Sequence, residues 1–233
     1  MSKELALVIP VYNEADIIGV VIEDWTQALR QLSIDFELRL YNDGSKDQTI
    51  NVLRALEGDY PELVVIDKPN SGHGPTILQG YLESDAEYIF QVDSDNEMKA
   101  KHFEKLWKKR EEYDFILGKR NYTYDHPLAR KVVSYIAKVC INLFYGRGIS
   151  DVNVPYRLMA KAKFEPIFRD IPTDTFAPNL IVSGMAVRNK LKIKTMDVPT
   201  DFRTTGSVSI QKLKLLKVAL RSLGRPLHMP SND

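Results

Sequence analysis

The stretch LALVIPVYNEADIIGVVIEDWTQAL (5–29) holds two periodicities back to back. Its first six residues form a short apolar run, whereas apolar residues in 15–29 return every three or four positions. Strand pattern followed by helix pattern is what a βα unit requires. The same alternation recurs along the chain. FELRLY (36–41), LVVID (63–67), YIFQVD (88–93) and FILGKR (115–120) read as strands, and DQTINVLRAL (47–56), GPTILQGYLES (74–84) and AKHFEKLWKKREE (100–112) as helices. Right-handed crossovers between such units give an α/β fold with an open, mainly parallel sheet flanked by helices. Beyond residue 120 the pattern predicts a long helix (128–146), a loop-rich stretch (147–176), a helix near 177–190 and a late strand at 191–198. There is no Pro/Gly/Ser linker and no internal repeat, so a single domain with an elaborated C-terminal half is expected.

With 233 residues and 44% hydrophobic content the chain can bury a sizeable core. Its net charge of +1, and the absence of a basic tract interleaved with aromatics, argue against a nucleic-acid partner. Cys140 is the only cysteine, which excludes a disulfide framework or a thiolate metal site and suits a reducing compartment. The first strand meets Asn13 and Glu14 too early for a signal peptide. VVSYIAKVCINLFY (132–145) is interrupted by Lys138 and falls short of the roughly 20 residues a span needs. A chain that does not cross a membrane is therefore expected.

In open parallel sheets ligands bind outside the carboxyl ends of the strands. Polar clusters stand at four such ends: PVYNE (10–14), YNDGSKDQ (41–48), DKPNSGHGPT (67–76) and DSDNE (93–97). NDGSKD alone is ordinary turn chemistry followed by a helix cap; four clusters on one edge indicate a site. Asp93, Asp95 and Glu97 crowd three like charges, which repel and lose hydration unless a cation offsets them. Hard carboxylate oxygens at this spacing suit Mg²⁺ or Mn²⁺, which share their shell with substrate phosphates. A metal-diphosphate site is expected, with those three residues as ligands. The chain has neither a P-loop nor a GxGxxG after its first strand, and SGHGPT lacks a Walker lysine. In the third cluster Lys68 is a candidate substrate contact. His73, between Gly72 and Gly74, reads either as a phosphate or sugar contact or as an exposed loop histidine.

Taken in order, VIPVYNEAD, YNDGSKDQT, NSGHGPTILQGY, the DxD at 93–95 and GKR at 118–120 resemble the family 2 glycosyltransferases of GT-A fold, over about residues 4–210. Within that family the chain looks closest to the dolichyl-phosphate mannose synthase branch, which transfers sugars to polyprenyl phosphates. The resemblance implies that Pro10, Tyr12, Glu14 and Asp43 hold the nucleoside, with Asp43 on the base, and that Asp93, Asp95 and Glu97 hold metal and diphosphate. Glu97 stands where that branch usually has Gln.

Arg120, Arg130, Ser134, DVNVPYR (151–157) and FRTTGSVS (202–209) are the second half's candidates for an acceptor site. Arginine's planar fork matches phosphate oxygens, and each arginine alone reads equally as a surface ion pair. The resemblance implies that Arg120, Arg130 and Arg203, with Ser134, grip an acceptor phosphate. The chain departs from the branch at Pro155, where a glycine is usual, at Asn179, where an acidic residue is usual, and in lacking its optional C-terminal transmembrane helices. SIQKLKLLKVALRSLGR (209–225) carries five basic residues and no acid among leucines at helical spacing. It reads either as an interfacial helix on anionic lipid or as a helix packing on the domain.

These observations predict residues 1–208 as the transferase domain, with a nucleotide-sugar half (1–120) and an acceptor half (121–208), and 209–233 as a basic amphipathic helix and tail. The expected activity is inverting, metal-dependent transfer from a UDP- or GDP-sugar to a polyprenyl phosphate, with Asp93, Asp95, Arg130 and Arg203 central to it. The expected place is the cytoplasm, peripheral at the inner face of the cytoplasmic membrane on its anionic surface. Transfer to a sugar hydroxyl of a surface polysaccharide is the alternative and needs a base, for which Asp174 or Asp151 is available. A non-catalytic sugar-nucleotide-binding protein is the third reading.

Overall fold

The computed structural model describes residues 2–122 and 152–200, without the side chains of residues 121 and 122. In chain order the elements are β1 (Lys3–Val11), α1 (Ile18–Gln31), β2 (Phe36–Asp43), α2 (Thr49–Leu56), β3 (Leu63–Lys68), α3 (His73–Glu83) and β4 (Ala86–Val92). A 3₁₀ turn (Ala100–His102), α4 (Glu104–Trp107), β5 (Phe115–Tyr122), β6 (Tyr156–Ala160), α5 (Lys161–Asp170), α6 (Pro178–Arg188) and β7 (Ile193–Thr200) follow.

The strands form one sheet in the order β3-β2-β1-β4-β6-β5-β7. β1, β2, β3 and β4 pair in parallel, as do β5 and β7, and β6 runs antiparallel to both β4 and β5. Because β4 and β5 each oppose β6, they run the same way. The carboxyl ends of β1 to β5 and of β7 therefore share one edge. The chain steps outward from β1 to β2 and β3, then returns to place β4 on the other side of β1. The strand order reverses there and the pairing of β1 with β4 ends at Val8 and Gln91, before either strand does, which is where an open α/β sheet offers a ligand crevice.

Helices cover both faces, which is why Leu5, Ala6, Leu7, Val8 and Ile9 of β1 are all fully buried rather than alternating. α1 buries Ile18, Val21, Ile22, Trp25 and Leu29 along one stripe. Trp25 meets Phe90 of β4 at 5.3 Å, Phe103 at 5.8 Å and Tyr156 of β6 at 6.0 Å between ring centres. This aromatic knot fixes β4, and truncating Trp25 to Ala should cost about 3–5 kcal/mol.

Two expectations are corrected. The loop-rich reading of 147–176 misses β6 and α5, because YRLMA is only five residues long, follows Pro155 and carries an arginine. The predicted helix over 100–112 shortens to a 3₁₀ turn and four α-helical residues. Its buried anchors, Phe103, Leu106 and Trp107, end at Trp107, and the charged residues 108–112 have no core to lie on. The predicted helix at 128–146 and the basic tail at 209–225 lie outside the described residues. Among those residues no helix is long and apolar enough to cross a membrane.

Candidate active site

Asn13, in left-handed conformation at φ 55°, ends β1 and ties the first loop to the second. Its backbone N–H donates to Ser45 Oγ (3.0 Å), and its Oδ1 accepts from the Lys46 N–H (2.7 Å). Ser45 donates to Asn42 Oδ1 (2.5 Å), and Asn42 Nδ2 donates to Asp67 Oδ1 (2.6 Å) at the end of β3. The Glu14 N–H donates to Thr49 Oγ1 (2.9 Å), and Asp47 Oδ1 accepts from the Thr49 N–H (3.0 Å). The α2 N-cap is Gln48, with no side-chain cap bond of its own; Asp47 takes the N–H of the helix's first residue, and NDGSKD binds three strand ends into one rim. Pro10 is buried in β1 opposite Tyr41; the β1–β4 ladder stops at Val8 and Gln91, whereas the β1–β2 ladder continues to Val11. Tyr12, just beyond, presents an aromatic ring that is 43% exposed at the mouth of the crevice. Glu14 is buried behind it.

Asp43 closes β2 and clamps the loop after β3. Its Oδ1 accepts from Lys68 Nζ and from the Ser71 N–H (2.8 Å), its Oδ2 from the Gly72 N–H (2.9 Å), and its carbonyl from Asn70 Nδ2 (2.7 Å). Lys68 also donates to Ser71 Oγ (2.6 Å) and Thr76 Oγ1 (3.1 Å). Burial pushes the Asp43 carboxyl up, but the Lys68 bond and the Ser71 N–H outweigh it and hold the carboxyl below its ordinary value. Gly44, at φ +65°, lets the loops meet: a Cβ there would lie 2.7 Å from the Asn70 nitrogen. Asp43 and Lys68 are thus a loop clamp. The Ser71 hydroxyl also reaches Oδ1 (3.4 Å), so four donors already meet this carboxylate, three of them on Oδ1.

His73 opens α3, and its side chain is 58% exposed. Its Nε2 lies 3.1 Å from Asp93 Oδ1, which also accepts from Gln91 Nε2 (3.0 Å). Desolvation by the surrounding loops lowers the imidazole's pKa, and the Asp93 carboxylate more than reverses this, with Asp95 and Asp43 adding at longer range, so it is raised overall. Gly74 approaches protein rather than ligand, since a Cβ there would sit 2.1 Å from the Phe176 carbonyl oxygen. Asp95 Oδ1 accepts from the Glu97 N–H (3.1 Å), closing a turn in which Asn96 has φ 55°. Among the described residues no three His, Cys, Asp or Glu side chains form a group that could hold a metal ion. Mg²⁺-type cations commonly take only one or two carboxylates where substrate phosphates complete the shell, a lesser demand that Asp93 and Asp95 fit.

The family model for glycosyl transferase family 2 matches residues 6–171, from β1 through α5. The chain belongs to glycosyl transferase family 2. It is similar to the undecaprenyl-phosphate 4-deoxy-4-formamido-L-arabinose transferase of Photorhabdus laumondii, at 26% identity over 93% of this chain and 66% of the relative. A dolichyl-phosphate β-glucosyltransferase of Trichomonas vaginalis is 25% identical over 94% of this chain and 71% of the relative. The chain thus spans about two thirds of the length of the curated relatives it matches. Among solved structures, mannosyl-3-phosphoglycerate synthase from Rubrobacter xylanophilus superposes with a TM-score of 0.71 at 14% identity, covering 95% of this chain and 74% of that one. Glucosyl-3-phosphoglycerate synthase from Mycobacterium tuberculosis, crystallised with Mn²⁺, UDP-glucose and phosphoglyceric acid, gives 0.69 at 13% identity, covering 96% and 81%. The fold is GT-A.

In this family 2 glycosyltransferase Arg120 lies near the carboxyl end of β5, on the same edge as Asp93 and two strands away, with β6 between. Arg157, from the DVNVPYR segment, does not reach a cleft. It is fully buried, and its guanidinium donates to the carbonyls of Val152, Val154 and Asn179 at 2.8–3.3 Å. A guanidinium presents five donors, and here they tie the 152–154 loop to α6. Arg130, Ser134, Arg203 and Asp151 lie outside the described residues.

The sequence reading also missed polar residues inside the core. Gln91, Asn179 and Tyr81 are each 0–3% exposed and joined to one another by hydrogen bonds behind Asp93. An amide within a strand carries no local signal for this, because its partner is 88 positions away.

Proposed function

We propose that the chain is an inverting, metal-dependent glycosyltransferase that moves a sugar from a UDP- or GDP-sugar to a polyprenyl phosphate. The observation that carries this is the crevice at the sheet reversal, with the Tyr12 ring on the β1 side and the Asp93–His73 pair on the β4 side. The aromatic face suits a nucleobase, and the carboxylates suit a cation beside a diphosphate. Both curated relatives named above act on polyprenyl phosphates, and each aligns with more than nine-tenths of this chain, which supports the same acceptor class here.

Asp93 and Asp95 would hold Mg²⁺ or Mn²⁺, which when bound neutralises the charge developing on the departing diphosphate. Tyr12 and the rigid rim behind it, with Pro10, Glu14 and Asp43, position the nucleoside. Lys68 keeps the 68–72 loop closed, and His73 faces the diphosphate end. Arg120, Arg130 and Arg203, with Ser134, meet the acceptor's charge from the opposite side. A phosphate monoester has a second pKa of about 6 and is largely dianionic near neutrality, so it can attack the anomeric carbon without a protein base. The basic 209–225 segment would bring the enzyme to the anionic inner face of the membrane.

The test is to incubate purified protein and Mn²⁺ with a panel of UDP- and GDP-sugars, with and without polyprenyl phosphate, and to record nucleotide release. One nucleotide should be released faster with polyprenyl phosphate, and EDTA should abolish the difference. Transfer to sugar hydroxyls alone would overturn the reading.

A further inference from the structure

A polar chain runs through the core to the back of Asp93. Tyr81 on α3 donates its hydroxyl to Asn179 Oδ1 (2.8 Å) at the start of α6, Asn179 Nδ2 donates to Gln91 Oε1 (3.1 Å) on β4, and Gln91 Nε2 donates to Asp93 Oδ1 (3.0 Å). Tyr81 and Gln91 are fully buried and Asn179 is 3% exposed.

The direction of this chain follows from its last member. An ionised carboxylate only accepts, so Gln91 must turn its NH₂ to Asp93 and its carbonyl away. That carbonyl accepts from Asn179 Nδ2 (3.1 Å) and, at a longer 3.5 Å, from the Tyr81 hydroxyl; with its NH₂ so used, Asn179 turns its own carbonyl to the closer Tyr81 bond (2.8 Å). Burial pushes the Tyr81 hydroxyl well above its ordinary value, which keeps it a donor. Each amide is thereby locked in one of its two orientations, and the donors run in sequence from Tyr81 to Asp93 Oδ1.

The chain is also anchored at both ends of its reach. Arg157 donates to the Asn179 carbonyl (3.2 Å), and Tyr81 stacks on Phe168 with ring centres 4.8 Å apart. Just before α6, the carbonyls of Thr175 and Phe176 pack on Gly74, next to the histidine that contacts the same Asp93 oxygen. Among the described residues the hydrogen bonds of Asp93 fall on Oδ1, so protein donors fix one oxygen and leave Oδ2 for a ligand.

We propose that Gln91, held in one orientation by Asn179 and Tyr81, is the positioning residue for Asp93, and that through it the segment leading into α6 sets the carboxylate that faces the donor's diphosphate. This rests on the reading of Asp93 as a cation ligand.

The test needs no turnover: the chain with saturating UDP is titrated with Mn²⁺, and free Mn²⁺ is read by its electron paramagnetic resonance signal. Gln91→Met keeps the side-chain length and removes the amide. It should weaken Mn²⁺ binding 10- to 100-fold, the range for losing a partner behind a metal ligand, and leave UDP affinity in EDTA at the parental value. Adding Asn179→Leu should weaken Mn²⁺ no further, because Asn179 reaches Asp93 only through Gln91. Tyr81→Phe should give a smaller loss of the same property, with the melting temperature recorded for every variant. Parental Mn²⁺ affinity in folded Gln91→Met overturns the proposal, as does an equal loss of metal-free UDP affinity. If Gln91→Met does not fold, a reduced affinity in Tyr81→Phe supports the proposal and a parental one overturns it. A parent that binds no Mn²⁺ with UDP, nor with GDP in a parallel titration, defeats the cation reading itself, which is distinct from variants that match a metal-binding parent.

Discussion

Asp43 and Lys68 form an ion pair whose side chains are 5% and 12% exposed, and it holds the loop between β3 and α3 against the end of β2. Removing one partner leaves the other charge buried and uncompensated. Lys68→Met should therefore lower stability by about 3 kcal/mol in urea unfolding. A carboxyl held low in the folded state adds stability above its unfolded value, ordinarily 3.8, and loses it as pH falls through the lower folded value. The fall in stability on acidification below about pH 4 should accordingly be shallower in Asp43→Asn than in the parent. Identical acid profiles would show that the pair contributes nothing to the fold.

Gly74 and Gly58 make a matched pair of substitutions. A Cβ on Gly74 would meet the Phe176 carbonyl oxygen at 2.1 Å and the Thr175 carbonyl oxygen at 2.5 Å, and backbone cannot swing aside as a side chain can. A Cβ on Gly58 meets nothing within 4 Å. Gly74→Ala should cost about 1–3 kcal/mol and expose the 172–178 segment to proteolysis, whereas Gly58→Ala should be neutral or slightly stabilising. Equal melting temperatures for the two would contradict the close packing at Gly74.

His73 separates site from scaffold. With its side chain 58% exposed, it contributes little to the fold, and His73→Ala should change stability by no more than about 0.5 kcal/mol. On the proposed reading its contact with Asp93 puts it at the diphosphate end, so kcat/KM for the donor should fall at least about tenfold. Parental kinetics would return it to the role of an exposed loop histidine.

How much of this was legible in the sequence depends on the range of the interaction. β1 to β5 and α1 to α3 announce themselves because each carries its own periodicity, and the polar clusters could be placed on one edge because parallel strands leave no other arrangement. β6 was hidden because it is five residues long, the first four are buried on both faces, and Arg157 is satisfied by carbonyls, so an interior residue looks like a surface one. The Asp43–Lys68 clamp and the Gln91–Asn179 pair were invisible for another reason: their partners stand 25 and 88 residues apart, and nothing near either residue marks it. The DxD could be located from its place after a buried strand, but the turn at Asn96 that Asp95 closes could not.

Asp95→Asn tests the cation reading without disturbing that turn. Asparagine keeps an oxygen to accept the Glu97 N–H, so the loop and the melting temperature should be preserved while the charge is lost. Turnover in Mn²⁺ should drop to the level of the parent in EDTA, measured as nucleotide release. Undiminished turnover in this variant, or in EDTA, would remove the metal from the scheme.

Asp174 distinguishes the two acceptor classes. It is exposed, one residue before the Thr175–Phe176 contact with Gly74, and is thus a described carboxylate near the donor edge that a hydroxyl acceptor could use as a base. A sugar hydroxyl must lose its proton as it attacks, and losing a general base typically costs 10²–10⁴-fold in rate. A phosphate monoester arrives already ionised and makes no such demand. Asp174→Ala should therefore leave transfer to polyprenyl phosphate within about threefold of the parent, since its side chain faces solvent and surface substitutions shift stability by no more than about 0.5 kcal/mol. Donor affinity, measured separately with UDP or GDP, should be unchanged. A loss of 10² or more in a folded variant with parental donor affinity would assign Asp174 as the base and favour the hydroxyl acceptor.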